Sequence, residues 1–137
     1  MDREDQAENM RSFGELVGLA FQIKDDIFDY GPPGNIGKPT GLDIRERKMT
    51  LPIIYTLNIC DKSTKKELIN IVKNHNEETK YVKRAVELVI QNGGIEYAHK
   101  RMIELKDEAL ICLENIPESD AKHALIGLLE YTTQREK

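Results

Sequence analysis

Three aspartates crowd the end of a long helical stretch, and that placement limits what the chain can fold into more than any other feature. Residues 5–29 carry apolar side chains at helical spacing and stop at Tyr30-Gly31-Pro32-Pro33-Gly34, a run of helix breakers. At 100° per residue with Gln22 as zero, Asp26 lies at about 40°, Asp29 at about 340°, Asp25 at about 300° and Gly18 at about 320°. All four share an arc of roughly 100° with Gln22. Phe13, Leu16, Val17, Ala20, Phe21, Ile23, Ile27 and Phe28 fill the other side. One face is therefore expected to pack, and the other to present three carboxylates, an amide and a glycine. Lys24 falls within the apolar face, and the sequence offers no account of it.

Such a carboxylate face is unfavourable on its own. Acids spaced i, i+3 and i, i+4 repel by a few tenths of a kcal/mol per pair. They also sit at the negative end of the helix dipole, where each is disfavoured by about 0.3–1 kcal/mol. Nothing nearby on the same helix compensates. A hard divalent cation would reverse both penalties, because oxygen ligands on one face suit Mg²⁺. Spacing alone leaves both readings open, a solvated acidic face and a metal site. Lys38 and Lys48 follow in the next loop. Taken singly each reads as a surface lysine. Together with a metal they form what a diphosphate needs, since Mg²⁺ bridges its oxygens and ammonium groups take up the remaining charge. Two rival motifs fail. Gly37-Lys38 lacks the earlier glycine and the Ser/Thr of a P-loop, with prolines at both positions. An EF-hand would need acids at alternate positions from Asp25 and a glycine at the sixth.

The rest of the chain reads as helices. A second is expected from near Arg45 to Asn58, with Pro52 either in its first turn or kinking it. Thr64-Lys65-Lys66-Glu67 offers a capping box. Asn76 is placed to cap a helix with Tyr81, Val82, Ala85, Val86, Val89 and Ile90 inward, stopped by Asn92-Gly93-Gly94. Another helix spans Ile95 to Asn115, and Pro117 with Ser119 separates it from a last one through Leu125, Leu128, Leu129 and Tyr131. Period-two alternation is never sustained. A single all-α helical body over residues 1–137 is expected, large enough to bury roughly 68% of its unfolded surface. The composition, 39% hydrophobic and 32% charged, is that of a folded soluble chain. A net charge of −4 without a basic block argues against nucleic acid. No apolar run approaches the ~20 residues of a membrane span. The acidic N-terminus lacks the character of a secretory signal, and Cys60 and Cys112 stand isolated, as reduced cysteines of a cytoplasmic protein do.

Gly18-Leu19-Ala20-Phe21-Gln22-Ile23-Lys24-Asp25-Asp26-Ile27-Phe28-Asp29 resembles the second aspartate-rich motif of the trans-isoprenyl (polyprenyl) diphosphate synthases. The similarity continues through Gly37-Lys38, Gly41-Leu42-Asp43-Ile44-Arg45-Glu46 and Lys48-Met49-Thr50-Leu51-Pro52, more weakly in Leu125, Leu128, Tyr131 and Arg135. Arg47 departs from it, standing where the family usually has glycine. The resemblance implies the C-terminal portion of a terpenoid-synthase fold and head-to-tail condensation of an allylic diphosphate with isopentenyl diphosphate, assisted by Mg²⁺. It implies that Asp25, Asp26 and Asp29 serve the metal, directly or through water, and that Gln22, Lys38 and Lys48 contact the allylic diphosphate. No second D-D-x-x-D occurs in the 137 residues. The metal cage is therefore expected to be half present, the isopentenyl site absent, and the chain inactive alone. Exposed helix faces are expected to associate, with copies of the chain or with a full-length synthase for which it would be a non-catalytic subunit binding Mg²⁺ and diphosphate. A purely structural helical domain is the remaining alternative.

Overall fold

The computed structural model describes residues 3–31 and 41–133. Seven helices and no strand make up the described residues: α1 (Arg3–Phe28), α2 (Leu42–Arg45), α3 (Leu51–Ile59), α4 (Lys62–Asn74), α5 (Thr79–Gln91), α6 (Gly94–Leu113) and α7 (Asp120–Thr133). The all-α expectation holds. Contacts divide the chain into two compact units, one of Asp25–His99 and one of the stretch up to Lys24 together with the stretch from Lys100 onward. No described helix is long and apolar enough to cross a membrane.

The unit of Asp25–His99 is built on Ile44, Ile53, Leu68, Val82, Ala85 and Val89, each almost wholly buried. Gly94, the first residue of α6, lies so close to α3 that a Cβ would sit 2.7 Å from the Pro52 carbonyl and 2.8 Å from Thr56 Oγ1. That is why two glycines close the α5–α6 turn: Gly93 takes φ 81°, and Gly94 lacks room for a side chain. In the other unit Phe13, Ala109, Leu113 and Leu129 form the buried centre, with Leu16, Val17 and Leu125 around it. There Lys24 finds its explanation. Its ammonium donates to the Tyr131 carbonyl at 3.3 Å, in the last turn of α7, and lies 5.6 Å from the centre of the Tyr131 ring.

Several boundaries differ from the sequence reading, each for a local reason. The helix expected from Arg45 to Asn58 is broken between α2 and α3, because Arg47 takes φ 59° and Thr50 is extended at the position before α3, leaving Pro52 in a first turn. The capping box at Thr64 is not used. Asp61 caps α4 through the Thr64 amide at 2.8 Å, while Glu67 turns to Arg84 at 2.7 Å. Asn76 does not cap α5; it donates to the Arg45 carbonyl at 2.7 Å and accepts from Arg47 at 3.3 Å. Val82, Ala85, Val86 and Val89 are buried as expected, but Ile90 is exposed and Leu88 is buried in addition. Phe21, expected to pack, is 54% exposed, because no described element covers that edge of α1.

Arg47 explains its own departure from the family pattern. A positive φ is where glycine is favoured, and an L side chain there costs about 1–2 kcal/mol. The guanidinium offsets this by donating to the Val72 and Lys73 carbonyls at 3.3 and 3.1 Å, two of the last acceptors of α4, as well as to Asn76. Arg47→Ala loses these bonds and keeps the strain; Arg47→Gly loses them and relieves it. Urea unfolding is expected to find Arg47→Gly more stable than Arg47→Ala by about 1 kcal/mol. Equal stabilities would remove backbone strain from the explanation.

Candidate functional site

The end of α1 decides where each aspartate goes. The last hydrogen bonds tighten, with Tyr30 N–H donating to Ile27 at 2.9 Å and Gly31 N–H to Phe28 at 3.1 Å. Asp29 therefore lies just past the helix, and the helical arc that grouped it with Asp25 and Asp26 does not describe its side chain. It is 1% exposed. Each carboxylate oxygen accepts a backbone amide, Leu42 N–H at 3.0 Å and Asp43 N–H at 3.1 Å. The Asp29 carbonyl accepts a third, from Gly41 N–H at 3.0 Å.

This replaces a missing cap. Gly41, the residue before α2, has φ 84° and no side chain with which to cap, and a Cβ there would come within 2.5 Å of Val82 Cγ1. The first amides of α2 are thus left to Asp29, a carboxylate acceptor suited to a helix N-terminus. Ile44 anchors the segment in the core, and Arg45 ties it to the Glu77 carbonyl at 3.1 Å and Thr79 Oγ1 at 3.2 Å. Residues 41–48 are thereby fixed against the helix that carries the acids.

Asp26 is half-buried and Asp25 exposed. Burial, then the charges of Asp43, Asp25 and Asp29, push the Asp26 carboxyl up to about 6, with Lys48 acting in the other direction. Asp43 is the member that spacing along α1 could not reveal. The sequence signal was its place in Gly41-Leu42-Asp43, next to the amides that Asp29 caps. Lys48 Nζ lies 4.0 Å from Asp43 and 3.5 Å from Glu46. With its side chain 62% exposed, these pairs are weak and leave the ammonium able to turn to an anion. Burial also holds the Tyr30 phenol well above its ordinary range, in the company of Asp29, Asp43 and Asp26, so it stays neutral. Gln22 is exposed on α1. Lys38 and Arg135 lie outside the described residues.

No three His, Cys, Asp or Glu side chains among the described residues converge as a metal cage. The donor chemistry nonetheless fits magnesium, which keeps several waters and binds through one or two carboxylates plus phosphate oxygens. Asp25 and Asp26 are hard oxygen donors, and burial, followed by the charges of Asp43, Asp25 and Asp29, disfavours the charged form of Asp26. Both oxygens of Asp29 are held by backbone amides.

Comparison with known proteins shows the family. Residues 1–89 match the polyprenyl synthetase family, and the chain belongs to it. It is 36% identical over 128 residues to a short chain isoprenyl diphosphate synthase of Methanothermobacter thermautotrophicus, covering 93% of this chain and 39% of that protein. Geranylgeranyl pyrophosphate synthetase from Pyrococcus horikoshii superposes with a TM-score of 0.88 at 31% identity, over 99% of this chain and 41% of its own. A polyprenyl synthase from Caulobacter crescentus, crystallised with calcium and isoprenyl diphosphate, superposes with a TM-score of 0.84 at 29% identity, over 98% and 41%. The chain spans about two fifths of the length of these relatives.

Neighbouring aspartates should therefore affect stability with opposite signs. In metal-free protein, Asp26→Asn is expected to raise the melting temperature at pH 7. The folded-state pKa is raised, so ionising Asp26 costs stability as pH climbs from about 4 to about 6, and at pH 4 the substitution should change little. Asp29→Ala should cost about 2–4 kcal/mol at pH 7, since it strips two amides of a charged acceptor. Thermal melts at the two pH values check both, and a stabilising Asp29→Ala would contradict the capping role.

Proposed function

We propose that this chain is the C-terminal portion of a polyprenyl diphosphate synthase, and that it supplies the allylic-diphosphate half of the active site. The observation that carries this reading is Asp26 set beside Asp25, Asp43 and Lys48, on a frame fixed by Asp29. In the reaction the allylic C–O bond breaks and its electron pair leaves with diphosphate. The isopentenyl double bond then attacks the carbocation to form the new C–C bond, and a proton is lost. Magnesium, when bound, supplies charge that stabilises the leaving diphosphate.

Asp25 and Asp26 would hold that metal. Asp29, with its oxygens occupied, acts by positioning residues 41–48 and by adding charge to the site. Lys48 swings from Asp43 and Glu46 to the diphosphate as negative charge develops there, and Gln22 and Lys38 join it in binding. A single aspartate-rich motif gives one side of a cage, so the chain alone is inactive. Two unpaired cysteines suit work in the cytosol.

Magnesium with inorganic pyrophosphate is expected to raise the melting temperature of the 137-residue protein by several degrees at saturation. Asp25→Ala and Asp26→Ala should each abolish the rise, and Lys48→Ala should reduce it. A rise that survives both aspartate substitutions would place the ligand elsewhere. Isopentenyl incorporation into elongated product by this chain alone would overturn the claim of inactivity.

A further inference from the structure

Helix α4 gathers charge that the sequence disperses. Residues 62–84 hold seven basic and three acidic residues in a chain whose net charge is −4. At 100° per residue Lys62, Lys65, Lys66 and Lys73 fall with Ile69 on an arc of roughly 100°, and all five are exposed. The helix's single acid, Glu67, lies on the opposite side and is held by Arg84 at 2.7 Å. Arg47 covers the negative end of the helix by bonding the Val72 and Lys73 carbonyls. Within the helix itself, the acid and the negative end of the dipole each have a cationic partner.

Beside this face opens an apolar cavity of about 220 Å³. Its floor includes Ile53 and Leu68, both fully buried; Met49 and Ile69 form its lips, 51% and 37% exposed, and Lys73 stands at its rim. A cavity of roughly 150 Å³ with such a lining takes up benzene, so this one has room for a short length of hydrocarbon chain. The four lysines span about 16 Å along the helix. That is too far for one anionic group and suits a surface carrying many.

We infer that the α4 face is a docking surface for an anionic phospholipid bilayer, with Lys62, Lys65, Lys66 and Lys73 on the headgroups and the Met49–Ile69 cavity receiving part of an acyl chain. A nucleic acid would satisfy the lysines but leave the hydrocarbon cavity without an occupant. The attachment is peripheral, and the inference does not depend on the function proposed above.

Flotation of the 137-residue protein with vesicles tests it. Vesicles of phosphatidylcholine with phosphatidylserine should carry the protein, increasingly so at low salt, and vesicles of phosphatidylcholine alone should not. Lys62→Ala with Lys66→Ala should cut the partition more than tenfold, at about fivefold per lysine. Met49→Gln, at an exposed position, should cut it severalfold with the salt dependence unchanged. Circular dichroism melts would confirm that both variants stay folded. Absence of binding to either vesicle, equal binding to both, or full binding by the double lysine variant would overturn the inference. Undiminished binding by Met49→Gln would also overturn it, since the surface would then be a general polyanion site.

Discussion

The carboxylate of Asp29 is the interaction on which the candidate site depends. A helix that ends in acids needs somewhere to put them, and a short helix that begins at glycine needs an acceptor for its first amides. One buried side chain meets both needs. By accepting the Leu42 and Asp43 amides, it brings Asp43 and Lys48 to the acids of α1. The opposing cost is the burial of a carboxylate. It is met by two hydrogen bonds from backbone amides, one to each oxygen.

The charge left over is what makes the site. Asp26 carries the penalty, with its carboxyl raised by burial and by three neighbouring carboxylates against one lysine. A structure selected for stability alone would exchange one of these acids for a neutral group. Retaining them leaves a place whose electrostatics improve when a dication and a diphosphate arrive together. The ammonium of Lys48, loosely paired and mostly exposed, can respond to that arrival.

Much of this was legible in the sequence. The long first helix, its abrupt stop and the acidic end follow from periodicity and helix breakers, and the motif from Gly18 to Pro52 carries the family. The fate of Asp29 was not legible, because a helical wheel stops being valid one residue past the last turn. The break between α2 and α3 rests on a positive φ at Arg47, which no propensity scale assigns to arginine. Its tertiary bonds to α4 make that conformation possible. Competition among caps misled as well. Thr64 and Glu67 had the pattern of a capping box, but Asp61 and Arg84 offered better partners. The lysines of α4 are spaced along the chain and gathered only by the helix.

The measurement that bears most directly on the central claim is a crystal structure of the protein with manganese, as an anomalous stand-in for magnesium, and inorganic pyrophosphate. The account predicts a metal peak on the carboxylates of Asp25 and Asp26, pyrophosphate between that metal and the Lys48 ammonium, and Asp29 still holding the Leu42 and Asp43 amides. A metal bound by Asp29 with those amides released, or density for metal and pyrophosphate away from the end of α1, would contradict it.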